Sequence, residues 1–186
     1  MKKHKEFMDL VARLDMKNAV FIDETGSKPG INRVFARGPK SERVRDRQPC
    51  NRGKNITMVA ALGVNGLIAP NSMIGGMRIK SFMNWLSKKL LPLLSKNTLL
   101  VMDNLRVHHA KPVTELIESY GCKPIFLPPY SPDLNPIEMA WAKVKSHLRK
   151  ARPRSAKALQ MQFHRAIKTI SDTESRSYIK ACGFSI

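Results

Sequence analysis

Residues 123 to 150 read KPIFLPPYSPDLNPIEMAWAKVKSHLRK, a run that few folds can accommodate. Ile125, Phe126 and Leu127 form an apolar segment the length of a short buried strand. Pro128, Pro129 and Pro132 remove backbone donors and fix φ, so neither a strand nor a helix continues through them. Asn135 is the expected N-cap and Pro136 the expected first helical residue, where a missing N–H costs nothing. Beyond it, Ile137, Trp141, Val144 and Leu148 recur at helical spacing as one apolar stripe. The stretch therefore hands one carboxylate, Glu138, to a fixed place on the first turn of a core-facing helix.

Two other apolar runs end at acids. Ala19-Val20-Phe21-Ile22 predicts a buried strand stopping at Asp23, ahead of Glu24, Thr25 and Gly26. Leu99-Leu100-Val101-Met102 predicts another, stopping at Asp103 and Asn104. Between them, Ile56 to Ala69 predicts a hairpin turning at Asn65-Gly66 and ending at Pro70-Asn71, with Met73-Ile74 as a further short strand. Val34-Phe35-Ala36 reads as a hairpin strand.

Helical spacing appears at Phe7, Leu10, Val11 and Leu14, at Ile79, Phe82, Met83, Leu86 and Leu90 before Pro92, and at Val113, Leu116, Ile117 and Tyr120 before Gly121. It returns at Leu159, Phe163, Ala166, Ile167 and Ile170. Ser171 to Glu174 has the capping-box pattern of a last helix with Tyr178 and Ile179, which Gly183 can end. The expectation is an α/β fold with a mixed central sheet of about five strands and helices on both faces. One domain spans 1–186, with its core at about 18–150 and C-terminal helices at 151–186.

Charge narrows the partners. The chain of 186 residues carries 33 Lys and Arg against 14 Asp and Glu, a net +19, which suits a polyanion such as nucleic acid. The basic excess concentrates at Lys28, Arg33, Arg37, Lys40, Arg43, Arg45, Arg47, Arg52 and Lys54, opposed in that segment by Glu42 and Asp46. Phosphate contact is expected from Arg37, Lys40, Arg43, Arg45, Arg47, Arg52 and Lys54, and from Lys143 and Lys145 on the helix after Glu138. Cys50, Cys122 and Cys182 are odd in number and far apart, which excludes a disulfide framework and fits reduced thiols in the cytoplasm. No apolar run approaches the roughly 20 residues of a membrane span, and MKKHKEFMDL lacks the apolar segment of a secretory signal.

In so basic a chain, acids set at strand ends are candidates for chemistry. Asp23, Asp103 and Glu138 can converge if their strands are neighbours. An all-oxygen set suits Mg²⁺, with Mn²⁺ as an alternative, and two ions can serve an in-line phosphoryl transfer. Structural explanations compete at each position. Asp23 can be a turn residue, Asp103-Asn104 a helix cap, and Glu138 the acid of a capping box with Asn135. Glu24 alternates to the opposite side of its strand, Asp133 reads as a turn residue, and Trp141 reads as core. His108 and His109 with Cys122 lack the spacing of a zinc site; His108 fits better beside the metal or substrate. A P-loop and a G-x-S-x-G elbow are both missing.

VFIDETG, VMDNLRVHH and FLPPYSPDLNPIEMAWAKVK together resemble the three signature blocks of bacterial insertion-sequence transposases of the mariner-type superfamily. The likeness runs from about residue 18 to 160, and 34 residues separate Asp103 from Glu138 in keeping with it. The resemblance implies a ribonuclease-H-like catalytic domain whose metal-binding acid triad is Asp23, Asp103 and Glu138. Asn104 and His108 match the pattern after the second acid, and Arg37-Gly38 matches a basic-Gly segment. The implied reaction is Mg²⁺-dependent hydrolysis at transposon ends, followed by attack of the freed 3′-hydroxyl on target DNA by a dimer or larger assembly. Relatives carry N-terminal helix-turn-helix modules, whereas 18 residues precede the first strand here. The expectation is the catalytic half of a two-frame element with a separately encoded partner, or a remnant; a stand-alone nuclease on the same architecture is the alternative.

Overall fold

The computed structural model describes residues 2–33, 35, 37–45 and 53–186. Five strands form one sheet in the order β3-β2-β1-β4-β5. They are β1 (Ala19–Ser27), β2 (Ile56–Gly63), β3 (Gly66–Ile74), β4 (Leu99–Met102) and β5 (Lys123–Phe126). β1 to β3 pair antiparallel, whereas β1, β4 and β5 run parallel. The helices are α1 (Lys2–Val11), α2 (Ile79–Trp85), α3 (Lys111–Ser119), α4 (Ile137–Ala151), α5 (Ala156–Ile167) and α6 (Asp172–Ala181). After α2 the chain continues as a π turn over Leu86–Leu90.

Side-chain alternation splits the core in two. Phe21, Met58, Ala60, Leu62 and Val101 face α1, α4, α5 and α6, where Trp141, Val144, Leu148 and Phe163 are fully buried. Val20, Ile22, Val59, Ala61, Leu100 and Met102 face the other way, against Phe82, Trp85, Leu86, Val113 and Ile117. Helices therefore cover both faces of a mixed five-stranded sheet, as the apolar patterning predicts. Each large side chain buried this way contributes about 1.5–3 kcal/mol. In α1, Phe7 and Val11 are buried but Leu10 is half exposed, so the stripe is narrower than its spacing predicts.

Three strand boundaries differ from the sequence expectation. β1 does not stop at Ile22: Asp23 to Ser27 stay paired with Ala60 to Ile56 of β2, while β4 ends opposite Ile22 at Met102. Asp23 is thus interior to its strand, yet it lies one residue past the end of its parallel neighbour. The hairpin turn is Val64-Asn65, closed by Gly63 opposite Gly66, with Gly66 opening β3 at φ 110°. Pro70 and Asn71 do not end β3, because Pro70 falls at a register shift on an edge strand, where a missing donor is tolerated. The Trp85 indole N–H donates to Ala69 O there at 2.7 Å.

Of the strand expected at 34–36, only Phe35 is among the described residues. Phe35 lies outside any strand and is 89% exposed, and Val34 and Ala36 lie outside the described residues. The last helix follows the pattern: Ser171 Oγ accepts from Glu174 N–H, and the Glu174 carboxylate accepts from Ser171 N–H. Cys122 and Cys182 are buried free thiols. Among the described residues no helix is long and apolar enough to cross a membrane.

Candidate active site

Strand parity sends Asp23 and Glu24 to opposite faces of the sheet. Asp23 points toward α4, where the Trp141 indole N–H donates to its Oδ2 at 3.1 Å in a buried contact. Trp141 is core, as its spacing predicts, and it also fixes the first acid. Asp23 is 8% exposed. Burial, then the nearby Glu138 charge, pushes its pKa up to about 7.

Asp103 sits just beyond β4, half exposed, with its Oδ1 accepting from the Leu105 N–H at 2.9 Å. The same oxygen lies 2.7 Å from His108 Nδ1, and His108 Nε2 lies 3.3 Å from Glu24 Oε1. Carboxylates only accept, so a fully buried ring between two of them donates from both nitrogens and is an imidazolium. Burial opposes the charge on His108, but the Asp103 and Glu24 hydrogen bonds outweigh it and raise its pKa to about 10. Burial likewise opposes ionisation of Asp103, and the His108 and Leu105 bonds overcome it, so its pKa is lowered. Glu24 therefore does face away from Asp23, as alternation predicts, and it braces the second acid from behind.

Asn104 ties the strands' exits together. Its amide donates to Leu127 O, and its Oδ1 accepts from His109 Nε2 at 2.8 Å. His109 stacks on Phe126 with centroids 4.0 Å apart. Leu127 N–H in turn donates to Met102 O at 2.9 Å, so the chain leaves β5 beside Asp103.

The proline-rich link then crosses to α4. Pro136, with helical φ −63° and ψ −22°, precedes Ile137, and no side chain caps the helix. The expected Asn135 cap is not formed. The capping-box alternative for Glu138 fails as well, because the Asn135 N–H donates to Pro132 O at 3.0 Å. Asp133 lies in the turn Pro132–Leu134 and meets His4 at 3.3 Å.

Asp23, Asp103 and Glu138 line one cavity of about 320 Å³, with Asn104, Leu105, Leu127, Pro128, Asn135 and the fully exposed Tyr130 around them. Among the described residues no Lys or Arg is in that lining, in a chain of net +19. Among the described residues, no group of three His, Cys, Asp or Glu side chains stands close enough to hold an ion together. The acids share a cavity whose side chains are not drawn into a coordination sphere. Asp103 Oδ1 is held by His108 and Leu105, and among the described residues no hydrogen bond engages Oδ2.

The basic residues are divided. Arg37, Lys40, Arg43, Arg45 and Lys54 are exposed, and Arg47 and Arg52 lie outside the described residues. Lys143 is engaged internally: its ammonium donates to Glu174 at 2.5 Å and to Thr169 O at 2.7 Å, bracing α4 against α6. That bond, with the Ser171 N–H, lowers the Glu174 pKa. Lys143, expected to contact phosphate, thus has an internal partner, whereas Lys145 is half-buried on the same helix without that engagement.

Parallel β1 and β4 carrying acids past the end of their pairing, an antiparallel flank and helices on both faces define the ribonuclease-H-like class of fold. The chain belongs to the DDE superfamily endonucleases, whose family model matches residues 18–160. Solved structures share the fold. A Mos1 strand transfer complex superposes with TM-score 0.78 at 18% identity, over 98% of this chain and 57% of that one. The mariner Mos1 paired end complex with Mg gives 0.79 at 14%, over 98% and 59%. The Mos1 transposase catalytic domain with raltegravir and Mg gives 0.72 at 14%, over 98% and 89%. The chain thus spans little more than half of the Mos1 chain in the strand transfer and paired end complexes and most of the Mos1 catalytic-domain chain. No curated protein matches it.

Proposed function

We propose that this chain is the catalytic unit of a DNA transposase, which hydrolyses the phosphodiester bond at transposon ends and joins the ends to target DNA. The observation that carries the reading is that Asp23, Asp103 and Glu138, from three separate elements, line one cavity with no Lys or Arg in its lining among the described residues of a strongly basic protein. We read the whole chain as one such unit, because α5 and α6 pack into the same core as β1 and α4.

The chemistry of the donor set fits a divalent cation. Three carboxylates line one cavity, burial and then a neighbour's charge destabilise one of them, and among the described residues Glu138 makes no ion pair. Asp23, Asp103 and Glu138 would hold Mg²⁺ or Mn²⁺, as one or two ions. Such ions supply charge neutralisation and an acidified water for in-line displacement. In cleavage, water oxygen bonds to phosphorus, the P–O3′ bond breaks, and the transposon 3′-oxygen leaves as a hydroxyl. In joining, that hydroxyl attacks a target phosphate and displaces a target 3′-oxygen. Trp141 orients Asp23, and His108, backed by Glu24, orients Asp103. Arg37, Lys40, Arg43, Arg45, Lys54 and Lys145, with Arg47 and Arg52, are assigned to the DNA backbone. Paired-end chemistry requires a dimer or larger assembly, and recognition of end sequence falls to a helix-turn-helix module or partner. The reading locates the protein with the DNA, in the cytoplasm.

Incubation with supercoiled plasmid in Mg²⁺ or Mn²⁺ is expected to give nicked and joined products that Asp103→Asn does not give. Equal nicking by both proteins would falsify the acid assignment, and cleavage without joining reduces the reading to a nuclease. DNA affinity is expected to fall steeply with salt. Replacing Arg37, Lys40, Arg43 and Arg45 together by Ala should flatten the log–log salt slope by about three to four. An unchanged slope removes those residues from the interface.

A further inference from the structure

Asn135 has the position of a helix cap and does not act as one. It is 4% exposed, between buried Leu134 and Ile137, and its Oδ1 has no hydrogen-bond partner. The residue lines the cavity of the three acids. An orphaned buried acceptor costs roughly 1–3 kcal/mol, which an apolar side chain of similar size would avoid. No side chain among the described residues donates to it.

A hydrated divalent cation supplies what is missing. It offers strongly polarised water hydrogens, and it accepts amide oxygen as a hard ligand. A neutral oxygen also completes such a site without adding to the charge that already raises the Asp23 pKa. We propose that Asn135 Oδ1 is a fourth oxygen of the acid cavity, an acceptor for the hydrated divalent cation that Asp23, Asp103 and Glu138 bind. This inference rests on the cation reading of the site.

The test is calorimetric titration of the full chain with Mn²⁺, without DNA, beside thermal melting in EDTA. Asn135→Ala removes no internal hydrogen bond, so the cation-free protein is expected to melt at or above the wild-type temperature. Its Mn²⁺ affinity should fall about ten-fold, the size of effect seen for groups supporting a metal site. Asn135→Asp should restore the affinity, and Asp103→Asn should abolish it. If Asp103→Asn weakens binding and Asn135→Ala leaves it unchanged, this inference is overturned and the cation reading stands. A lower melting temperature for cation-free Asn135→Ala also overturns it, since it assigns the amide a structural role. No Mn²⁺ binding by the wild-type chain overturns both.

Discussion

Asp23→Asn is expected to abolish DNA cleavage and, at the same time, to make the cation-free protein more stable at neutral pH. The activity loss should be roughly a thousand-fold or more, since a catalytic cation is worth several kcal/mol of barrier and each 1.36 kcal/mol is tenfold in rate. The stability gain follows from the site itself. Asp23 is buried beside another carboxylate, and its pKa stands at about 7 against an ordinary 3.8. The folded protein keeps a proton there that the unfolded chain has already released. Stability from this group is therefore full below pH 3.8 and is lost as pH rises toward 7. At 1.36 kcal/mol per pKa step, the loss is on the order of 4 kcal/mol as an upper bound. Asparagine does not titrate, and its amide oxygen can still accept from the Trp141 indole. In EDTA, the urea midpoints of the two proteins should coincide near pH 4 and separate toward pH 8, with the variant higher. Saturating Mg²⁺ should raise the wild type and leave the variant where it was. A variant less stable than the wild type at pH 8 in EDTA would sink the account of Asp23 as a strained carboxylate.

Much of this architecture is legible in the chain because it rests on local signals. The apolar runs ending at Asp23 and Asp103, and the helical stripe of Ile137, Trp141, Val144 and Leu148, give the sheet, its two covered faces and the cavity-lining acids. What the chain does not disclose is non-local. The extension of β1 past Asp23 depends on β2 continuing to pair with it after β4 has ended, which no property of Asp23-Glu24-Thr25 signals. Glu24 reads as pointing away, which is correct, but its purpose requires knowing that His108 waits on that side. Asn135 fits a cap by type and spacing; only the fold shows that the adjacent turn at Pro132 takes its N–H and leaves its side chain facing the acids. Lys143 reads as one more cation for DNA, and its ion pair with Glu174, 31 residues on, is not signalled by the local sequence.

The second large effect is expected at His108. His108→Ala leaves Asp103 and Glu24 without the cation between them and opens a void beside Phe82, whose ring centroid lies 4.8 Å from the imidazole. Breaking a buried charge pair by removing one partner costs about 3–5 kcal/mol, a large share of the stability of a domain this size. Activity should fall a further 10- to 100-fold among molecules that remain folded, because Asp103 loses the bond that orients it. Glu24→Gln separates the contributions. Its amide oxygen can still accept from Nε2, so the variant should lose less stability than His108→Ala while sharing part of its weaker metal binding. The pH dependence identifies the cause. His108 has a folded pKa of about 10 against an ordinary 6.5, so its stabilisation is complete below pH 6.5 and fades as pH rises toward 10. The stability gap between wild type and His108→Ala, measured by urea unfolding in EDTA, should therefore be widest near pH 6 and narrow toward pH 9.5. A gap that does not change with pH would mean that packing against Phe82, not the imidazolium between two carboxylates, is what His108 provides. Asp23 and His108 act with the same sign. Both make the cation-free protein less stable as pH rises, Asp23 below about 7 and His108 above 6.5. Cation binding relieves only the first, so added Mg²⁺ should recover stability lost up to neutrality and leave the alkaline decline in place.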